Sequence, residues 1–344
     1  MADLNTIIAL IKGLSNKDKK RLIKSLENDL GGNANSIKEF LTDKRFENGR
    51  VCPHCGCTHI VKNGHRADGT QKYVCKDCGK SFTITTNSIV FGTRKDMAIW
   101  QEYIECMMNG WSVRKSARKC GIHRNTAFRW RHKILDALTE MMKQVKLAGI
   151  VEADETYFPK SYKGNHKKSK TFTMPRPPHK RGGMTEKRGI SSEQICVPCA
   201  VNRDGLSVGM PAKCGKPIPK AFHKVFDDRI DSESILVTDG EKSYKRFTMD
   251  NGIQLVAIRG GKGKKNGYHI QHINSYHSRL KTFMDSFKGV STKYLGNYIV
   301  WHNLVNYAPE TEDEKAQIMF GFVTTYPMKE TNDELSHRPV VPVL

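Results

Sequence analysis

The sequence predicts a multidomain protein in which a small cysteine-rich module and a helical module precede a larger α/β domain. Three observations predict this organisation: two C-x-x-C pairs between residues 52 and 78, a basic helix–glycine–helix pattern between residues 112 and 131, and, after residue 148, short apolar runs that end in aspartate. A chain of 344 residues has room for these parts, because single domains usually run to about 100–200 residues.

The composition indicates a protein with a polyanionic partner. Lysine and arginine number 57 against 35 acidic residues, a net charge of +22 that repels itself unless a polyanion neutralises it, and nucleic acid is the leading candidate. No membrane association is expected, because no apolar run reaches about 18 residues and no leader peptide is recognisable. The chain is therefore expected in the cytoplasm, where its ten cysteines would be reduced, metal-binding thiols and not disulfides.

The two ends of the chain carry no recognisable chemistry. Residues 1–45 are predicted to form a helical N-terminal piece, because apolar residues recur at helical spacing from Leu4 to Leu14 and from Leu22 to Leu26, as in a packing or dimerisation surface. The tail over residues 308–344 starts acidic and ends apolar, and the sequence does not decide between a packing strap and a partner contact.

Residues 46–92 are predicted to form a zinc ribbon. Two C-x-x-C pairs, separated by 19 residues, supply four thiolates: Cys52, Cys55, Cys75 and Cys78. Tetrahedral Zn²⁺ requires such a set, and four thiolates leave no open coordination position, so the spacing predicts one structural zinc ion. Cys57 and His59 fall outside the paired spacing and are expected to take no part.

Residues 93–147 are predicted to form a helix-turn-helix DNA-binding domain. Ala117 is small where two helices must approach, and Gly121 suits the sharp turn between them. The side chains placed to reach base edges and phosphates are Arg114, Lys115, Arg118, Arg124, Asn125, Arg129 and Arg131. A plain three-helix bundle with a solvated basic face is the alternative.

Two short apolar runs in the third segment each deliver a carboxylate. The run that begins at Val151 leads to Asp154, and the run Ile235–Thr238 leads to Asp239. Carboxylates presented at strand ends build divalent-metal sites, so we expect both aspartates at strand ends in one site.

Residues 159–189 form a basic insertion after the first of these runs. They hold ten lysines and arginines, one glutamate and several prolines and glycines, which predicts an exposed loop or arm. A solvated linker is the plain interpretation. The position beside a candidate active-site strand favours contact with a DNA backbone through Lys180 and Arg181.

A predicted helix over residues 272–287 adds further polar groups. At 100° per residue, one face packs while the opposite face carries Asn274, His277, Lys281 and Asp285. A histidine between an asparagine and a lysine on one helix face favours a site over ordinary surface.

With Asp154, Asp239 and a helix carrying Asn274, His277 and Lys281 in that order, the chain resembles bacterial insertion-sequence transposases. It is closest to the subgroup with histidine at the third catalytic position, and the resemblance spans roughly residues 52–301. It implies an α/β RNase H-like mixed-sheet catalytic domain over residues 148–307, behind the zinc ribbon and the helix-turn-helix.

The resemblance also implies a function and a site. The function is a DNA transposase that binds terminal repeats and catalyses metal-dependent strand cleavage and strand transfer. Asp154 and Asp239 would bind two Mg²⁺ (or Mn²⁺) ions, His277 would complete one coordination sphere, and Lys281 would hold the donor-end phosphate. Asn274 and Asp285 are the alternatives to His277 as the third ligand.

The implied partner is double-stranded DNA, both element ends and target, held by a homodimer or larger synaptic assembly in the bacterial cytoplasm, associated with the nucleoid. Two other functions share these motifs. One is a zinc-ribbon and helix-turn-helix DNA-binding regulator with an inactive core. The other is an RNase H-like nuclease, which would cut strands without joining them.

Overall fold

A computed structural model describes residues 11, 13–15, 18–19, 34–164, 173–176, 189–258, 263–308, 310–328, 330–341 and 343. They form two compact units, one from Met1–Glu105 with Phe320–Met328 and the other from Cys106–Met319 with Lys329–Leu344. Most of the predicted N-terminal helical piece, and Lys180 and Arg181 of the basic insertion, lie outside the described residues. No helix in the described part is long and apolar enough to cross a membrane.

The first unit contains a three-stranded antiparallel sheet that carries the cysteine pairs. Its elements are α1 (Ala34–Arg45), β1 (Ile60–His65), β2 (Gln71–Cys75) and β3 (Ser81–Phe82). The strand order is β1-β2-β3. Tyr73 on β2 packs its ring against Phe46 at 5.1 Å and Phe82 at 5.5 Å between centroids. Ile84 and Val90 are also buried in this unit, and a metal ion held by the four cysteines is expected to add to the stability of so small a sheet.

The remaining elements run in chain order as follows: α2 (Met97–Met108), α3 (Val113–Lys119), α4 (Arg124–Met142), β4 (Ile150–Pro159), β5 (Gln194–Asn202), β6 (Ser207–Gly209), β7 (Lys213–Cys214), α5 (Pro219–Phe226), β8 (Ile235–Thr238), α6 (Lys242–Asn251), β9 (Gln254–Ala257), α7 (Gln271–Ser286), a 3-10 turn (Thr292–Tyr294), α8 (Leu295–Asn306), α9 (Glu312–Thr325) and α10 (Asn332–His337).

The second unit is built on a mixed sheet with β4 at its centre. The strand order is β6-β5-β4-β8-β9, and β7 pairs with β5. β4 runs antiparallel to β5 and parallel to β8, which in turn runs parallel to β9. The predicted mixed α/β sheet is therefore confirmed.

The two faces of β4 have different environments, because successive side chains of a strand point to opposite sides of the sheet. Val151 and Ala153 belong to an apolar core that includes Phe222 of α5 and Phe247 of α6. Glu152 and Asp154 point to the other face, where Glu152 meets the first turn of α7. The acids of the apolar run are thus segregated onto the side of the sheet that carries α7.

Helices α3 and α4 lie in the same compact unit as the mixed sheet. The side-chain amide of Asn297 on α8 donates to Asp136 Oδ1 of α4 at 2.7 Å. Ile134 and Leu135 of α4 are fully buried in the same region. The division of the chain at residues 92, 147 and 307 remains a prediction, since packing joins α4 to elements on both sides of residue 147.

The C-terminal tail is anchored to α4 by one arginine. Arg338, just after α10, forms ion pairs with Asp136 and Glu330 and donates to Asn297 Oδ1 at 3.1 Å. The last part of the tail, residues 330–338, therefore packs onto this unit, a role that the sequence left open.

Replacing Arg338 by methionine is expected to lower the free energy of unfolding by about 2 kcal/mol, because two partly buried carboxylates lose their shared cation. Arg246→Met is the matched control, since Arg246 forms an exposed i,i+4 pair with Asp250 on α6. Thermal unfolding of the full chain measures both variants. Equal melting temperatures for the two would show that Arg338 does not hold the tail.

Candidate active site

The four predicted zinc ligands form one group in the first unit. Cys52 Sγ lies 3.8 Å from Cys78 Sγ, and Cys55 Sγ lies 3.6 Å from Cys75 Sγ. A tetrahedral zinc ion with Zn–S bonds of about 2.3 Å requires S···S distances of about 3.8 Å, so the four thiols fit Zn²⁺. Cys57 and His59 are not part of this group.

Each cysteine pair is followed by a glycine that allows the chain to turn around the metal position. Gly56 and Gly79 have φ of +79° and +68°, in the left-handed region that favours glycine. Their backbone N–H groups donate to the carbonyl oxygens of Cys52 and Cys75 at 3.0 and 2.9 Å. These turns let both sulfur atoms of each pair point to one centre.

The two aspartates lie near each other where the parallel pairing of β4 and β8 ends. The pairing runs from Ile150↔Ile235 to Glu152↔Val237, each aspartate follows the last pair by two residues, and the Asp239 charge helps to raise the pKa of Asp154. Asp239 follows β8 directly, as predicted. The expectation that Asp154 ends its strand is wrong, because β4 continues to Pro159 while paired with β5. The parallel pairing with β8 ends near this point, whereas the pairing with β5 continues.

His277 is brought to the aspartates by helix α7. Its Nδ1 lies 3.6 Å from Asp154 Oδ2, and only 9% of the residue is exposed. Its Nε2 is buried and has no hydrogen-bond partner among the described residues. Lys281, one helical turn further on, is exposed, as are Asn274 and Asp285. Of the polar residues predicted on this helix face, His277 is the one that packs against Asp154.

Burial and charge give the site an unusual electrostatic state. Burial, and next the nearby Asp239 carboxylate, raise the pKa of Asp154 to about 6. Burial also raises the pKa of the adjacent Glu155 to about 8. Burial, and next the positive charge of Lys281, lower the pKa of His277 to about 4, so the imidazole is neutral at pH 7 and keeps a lone pair. Two carboxylates that are close together, one of them buried, favour a bound cation, because a positive charge relieves their mutual repulsion.

The ligand atoms of Asp154, Asp239 and His277 lie further apart than those of a site that holds one metal ion tightly. In the described part of the chain, two groups of three or more His, Cys, Asp or Glu side chains have all ligand atoms within 4.8 Å: the four cysteines, and Glu152 with His269 and His272. Asp154, Asp239 and His277 do not form such a group.

Sequence reasoning did not single out Glu152, although it lies on the same face of β4 as Asp154. Its side chain is 1% exposed and forms an ion pair with Arg203 at 2.8 Å. The available signal was a charged residue inside an apolar run, two positions before Asp154. A buried charge in such a run requires partners, and these come from far along the chain.

The candidate DNA contacts on α3 and α4 divide by exposure. Six are exposed: Arg114, Lys115, Arg118, Arg124, Asn125 and Arg129. Arg131 is the correction, because it is 0% exposed. Its Nη2 donates to the Trp111 carbonyl oxygen at 2.6 Å, and its guanidinium lies 4.8 Å from the Trp301 ring centre.

The burial of Arg131 follows from helix periodicity. Ala127, Arg131 and Leu135 are four residues apart, so they share the inward face of α4, and the two apolar members are fully buried. An arginine on that face contributes packing and hydrogen bonds instead of a surface charge.

Two protein families match the chain. Residues 146–300 match the ISXO2-like transposase domain, and residues 32–81 match the transposase zinc-ribbon domain. The chain is also 26% identical over 280 residues to "Uncharacterized protein in transposable element ISH50" of Halobacterium salinarum, covering 76% of this chain and 90% of that protein.

Two solved structures are similar at a low level. "Crystal structure of a pre-cleavage Mos1 transpososome" has 9% identity and a TM-score of 0.21, covering 67% of this chain and 79% of that one. "Crystal structure of the Mos1 mariner paired end complex with Mn" has 10% identity and a TM-score of 0.21, covering 68% and 80%. At such scores these likenesses carry no argument about the fold. The two family matches fall on the four-cysteine group and on the mixed sheet with its aspartates, and together with the ISH50 relative they support an insertion-sequence transposase with a zinc ribbon.

Proposed function

We propose that this transposase cleaves and joins DNA strands at the site formed by Asp154, Asp239, His277 and Lys281. The observation that carries the proposal is the contact of His277 with Asp154 at 3.6 Å, on a strand whose parallel neighbour delivers Asp239. The neutral imidazole and the two carboxylates are a donor set that fits Mg²⁺ or Mn²⁺, and the buried, unpartnered Nε2 of His277 supports a ligand role.

Two divalent ions would supply an activated water or 3′-hydroxyl and stabilise the leaving oxygen. Asp154 and Asp239 would hold these ions, and His277 would complete one ligand set. Lys281 is exposed one turn after His277, where its charge would hold the donor-end phosphate. Because imidazole suits Mn²⁺ better than Mg²⁺, Mn²⁺ is expected to support higher activity.

We infer an RNase H-like core from the sheet. Its first strand, β4, lies at the centre. On one side lie β5, antiparallel to β4, and β6, antiparallel to β5; on the other side lie β8 and β9, both parallel to β4. Such an order supports the assignment because it brings the ends of two parallel runs together, where ligand sites form in α/β sheets.

We propose that α3 and α4 form the DNA-binding helix-turn-helix. Ser112 caps α3 by accepting from the Lys115 N–H at 3.3 Å, and Gly121 turns the chain with φ of +58°. The first half of α4 then presents Arg124, Asn125 and Arg129 to solvent. The partner is double-stranded DNA, and holding two element ends calls for a dimer or larger assembly.

The double variant Arg124→Ala/Arg129→Ala is expected to weaken DNA binding about tenfold at fixed salt, because two contacts with DNA phosphates are lost. Each lost contact should also reduce the slope of log K against log[salt] by roughly 0.9. Fluorescence anisotropy across a salt series measures this slope. Lys143→Ala is the control, since Lys143 ends the same helix far from the turn and pairs with Glu140. An unchanged slope in the double variant would remove α4 from the DNA interface.

Strand transfer tests the proposed function. The full chain is incubated with Mn²⁺ or Mg²⁺ and a labelled DNA that carries candidate terminal repeats. Joined products are expected. Nicks without joining would identify a nuclease, and binding without cleavage would identify a regulator.

A further inference from the structure

We propose that Glu152 and Lys163 are positioning residues that hold the two ends of helix α7 and thereby fix His277 against Asp154, with Lys281 one helical turn further on. The inference rests on the proposed function, because it assigns these two side chains a task within that site. It concerns neither metal binding nor DNA contact by the two residues themselves.

Glu152 holds the amino end of the helix. Its Oε2 accepts from the backbone N–H of His272 at 2.7 Å and of Ile273 at 3.1 Å, the second and third residues of α7. These N–H groups have no partner inside a helix and need an outside acceptor. Ile270, which precedes the helix, is apolar and provides no side-chain cap, so a carboxylate from the central strand takes that role.

The charge of Glu152 is balanced locally. Its Oε1 lies 2.8 Å from Arg203 Nη2, 3.0 Å from His272 Nδ1 and 3.3 Å from His269 Nδ1. Although Glu152, His269 and His272 have their ligand atoms within 4.8 Å, a guanidinium already lies against the carboxylate. A metal ion would have to displace it, so we interpret the cluster as a helix anchor.

Lys163 holds the opposite end of the helix. Its Nζ donates to the carbonyl oxygens of Phe287 at 3.3 Å, Lys288 at 3.1 Å and Gly289 at 2.6 Å, directly after α7 ends at Ser286. Phe287 is the C-cap of α7 and the other two carbonyl groups belong to the turn that follows it, where the negative end of the helix dipole favours a cation.

Both anchors come from one short stretch of chain that also carries Asp154. Glu152 lies on β4 itself, and Lys163 follows the strand after Ser161, whose backbone exchanges hydrogen bonds with Thr292 at 2.8 and 2.9 Å. An acid at the amino end and a base at the carboxyl end match the helix dipole. The separation of Asp154 and His277 is therefore set by contacts that β4 and the residues just after it make with both ends of α7.

This arrangement matters because catalytic geometry is sensitive to small shifts. A displacement of about 1 Å can reduce a reaction rate about a hundredfold. A helix held at one end pivots about that end, and His277 lies between the two anchors. Loss of either charge is thus expected to loosen the imidazole without removing any group of the site.

The variants Glu152→Gln and Lys163→Met test the proposal, with Lys288→Met as the control for losing a lysine at the same helix end. Hydrogen–deuterium exchange of the full chain without metal reports on the helix ends. We expect about tenfold faster exchange of the amides at 272–273 in Glu152→Gln, whereas Lys163→Met, an exposed residue, should fold normally and loosen the segment 286–289. The cleavage rate at saturating Mn²⁺ is expected to fall about 10- to 100-fold in both variants, with DNA affinity within twofold of the wild type.

Unchanged exchange in both variants would overturn the proposal, and so would faster exchange without loss of cleavage rate. A parallel loss of DNA affinity and rate would indicate a merely structural role and would also overturn it. If the wild type shows no cleavage, the proposed function fails, but exchange at the helix ends still tests the anchors separately.

Discussion

Replacing Asp154 by asparagine is expected to lower strand cleavage by a factor on the order of a thousand or more, with DNA binding within twofold of the wild type. Asparagine keeps the shape but removes the negative charge that would hold two divalent ions beside Asp239.

The same change is expected to raise the stability of the metal-free protein at pH 7. The carboxylate is buried near Asp239, and its pKa is raised to about 6.

The sign of this stability gain follows from linkage. A folded pKa above the unfolded value of about 3.9 means that the charged form is penalised in the folded state, fully so above pH 6. Asp154→Asn should therefore melt higher than the wild type above pH 6 when no Mg²⁺ or Mn²⁺ is added. The gain should shrink as pH falls and vanish below about pH 4, where the carboxyl is protonated in both states. Thermal melts at several pH values measure it.

Companion variants decide the ligand set. Asp239→Asn should lose cleavage as completely as Asp154→Asn does, and His277→Ala should lose most of it. Asp285→Asn is the matched control, because Asp285 is an exposed acid on the same helix. Full cleavage by Asp154→Asn would refute the proposed site. Full cleavage by His277→Ala, with loss in Asp285→Asn, would transfer the third ligand to Asp285.

Cys75→Ser is expected to lose the zinc ion and unfold the three-stranded sheet of the first unit. Zinc binding contributes about 10–16 kcal/mol to the folding of small zinc-finger peptides, far more than the few aromatic contacts around Tyr73 can replace. Cys75 is 0% exposed and ends β2, so a serine there also leaves a polar group in an apolar site.

Metal analysis and limited proteolysis of the full chain measure this result. The wild type should contain one zinc ion per chain, and Cys75→Ser should contain none and be cut between residues 46 and 92. Cys57→Ser is the control, because Cys57 lies near the ligands but outside their group. Retention of zinc and protease resistance by Cys75→Ser would show that the four cysteines are not a closed zinc site.

Chemistry that depends on near neighbours along the chain was predictable. The C-x-x-C spacing predicted a tight turn at each cysteine pair, and both turns are observed, closed by the Gly56 and Gly79 N–H groups on the Cys52 and Cys75 carbonyl oxygens. Apolar periodicity placed the helix that carries His277 within one residue of its observed bounds, Gln271–Ser286. The strand over Ile235–Thr238 lies where the sequence predicted it. Each pattern reflects local backbone geometry, which a few successive residues determine.

What the sequence by itself determined is therefore which residues can carry chemistry and which elements hold them. Only the tertiary structure decided their partners. The parallel pairing of β4 with β8 brought Asp154 near Asp239. Burial on the inward face of α4 removed Arg131 from the surface. Glu152 and Lys163 came into contact with the two ends of α7. These contacts join residues more than 80 positions apart or depend on which helix face is covered. No local pattern encodes such pairings, because they follow from the packing of the whole unit.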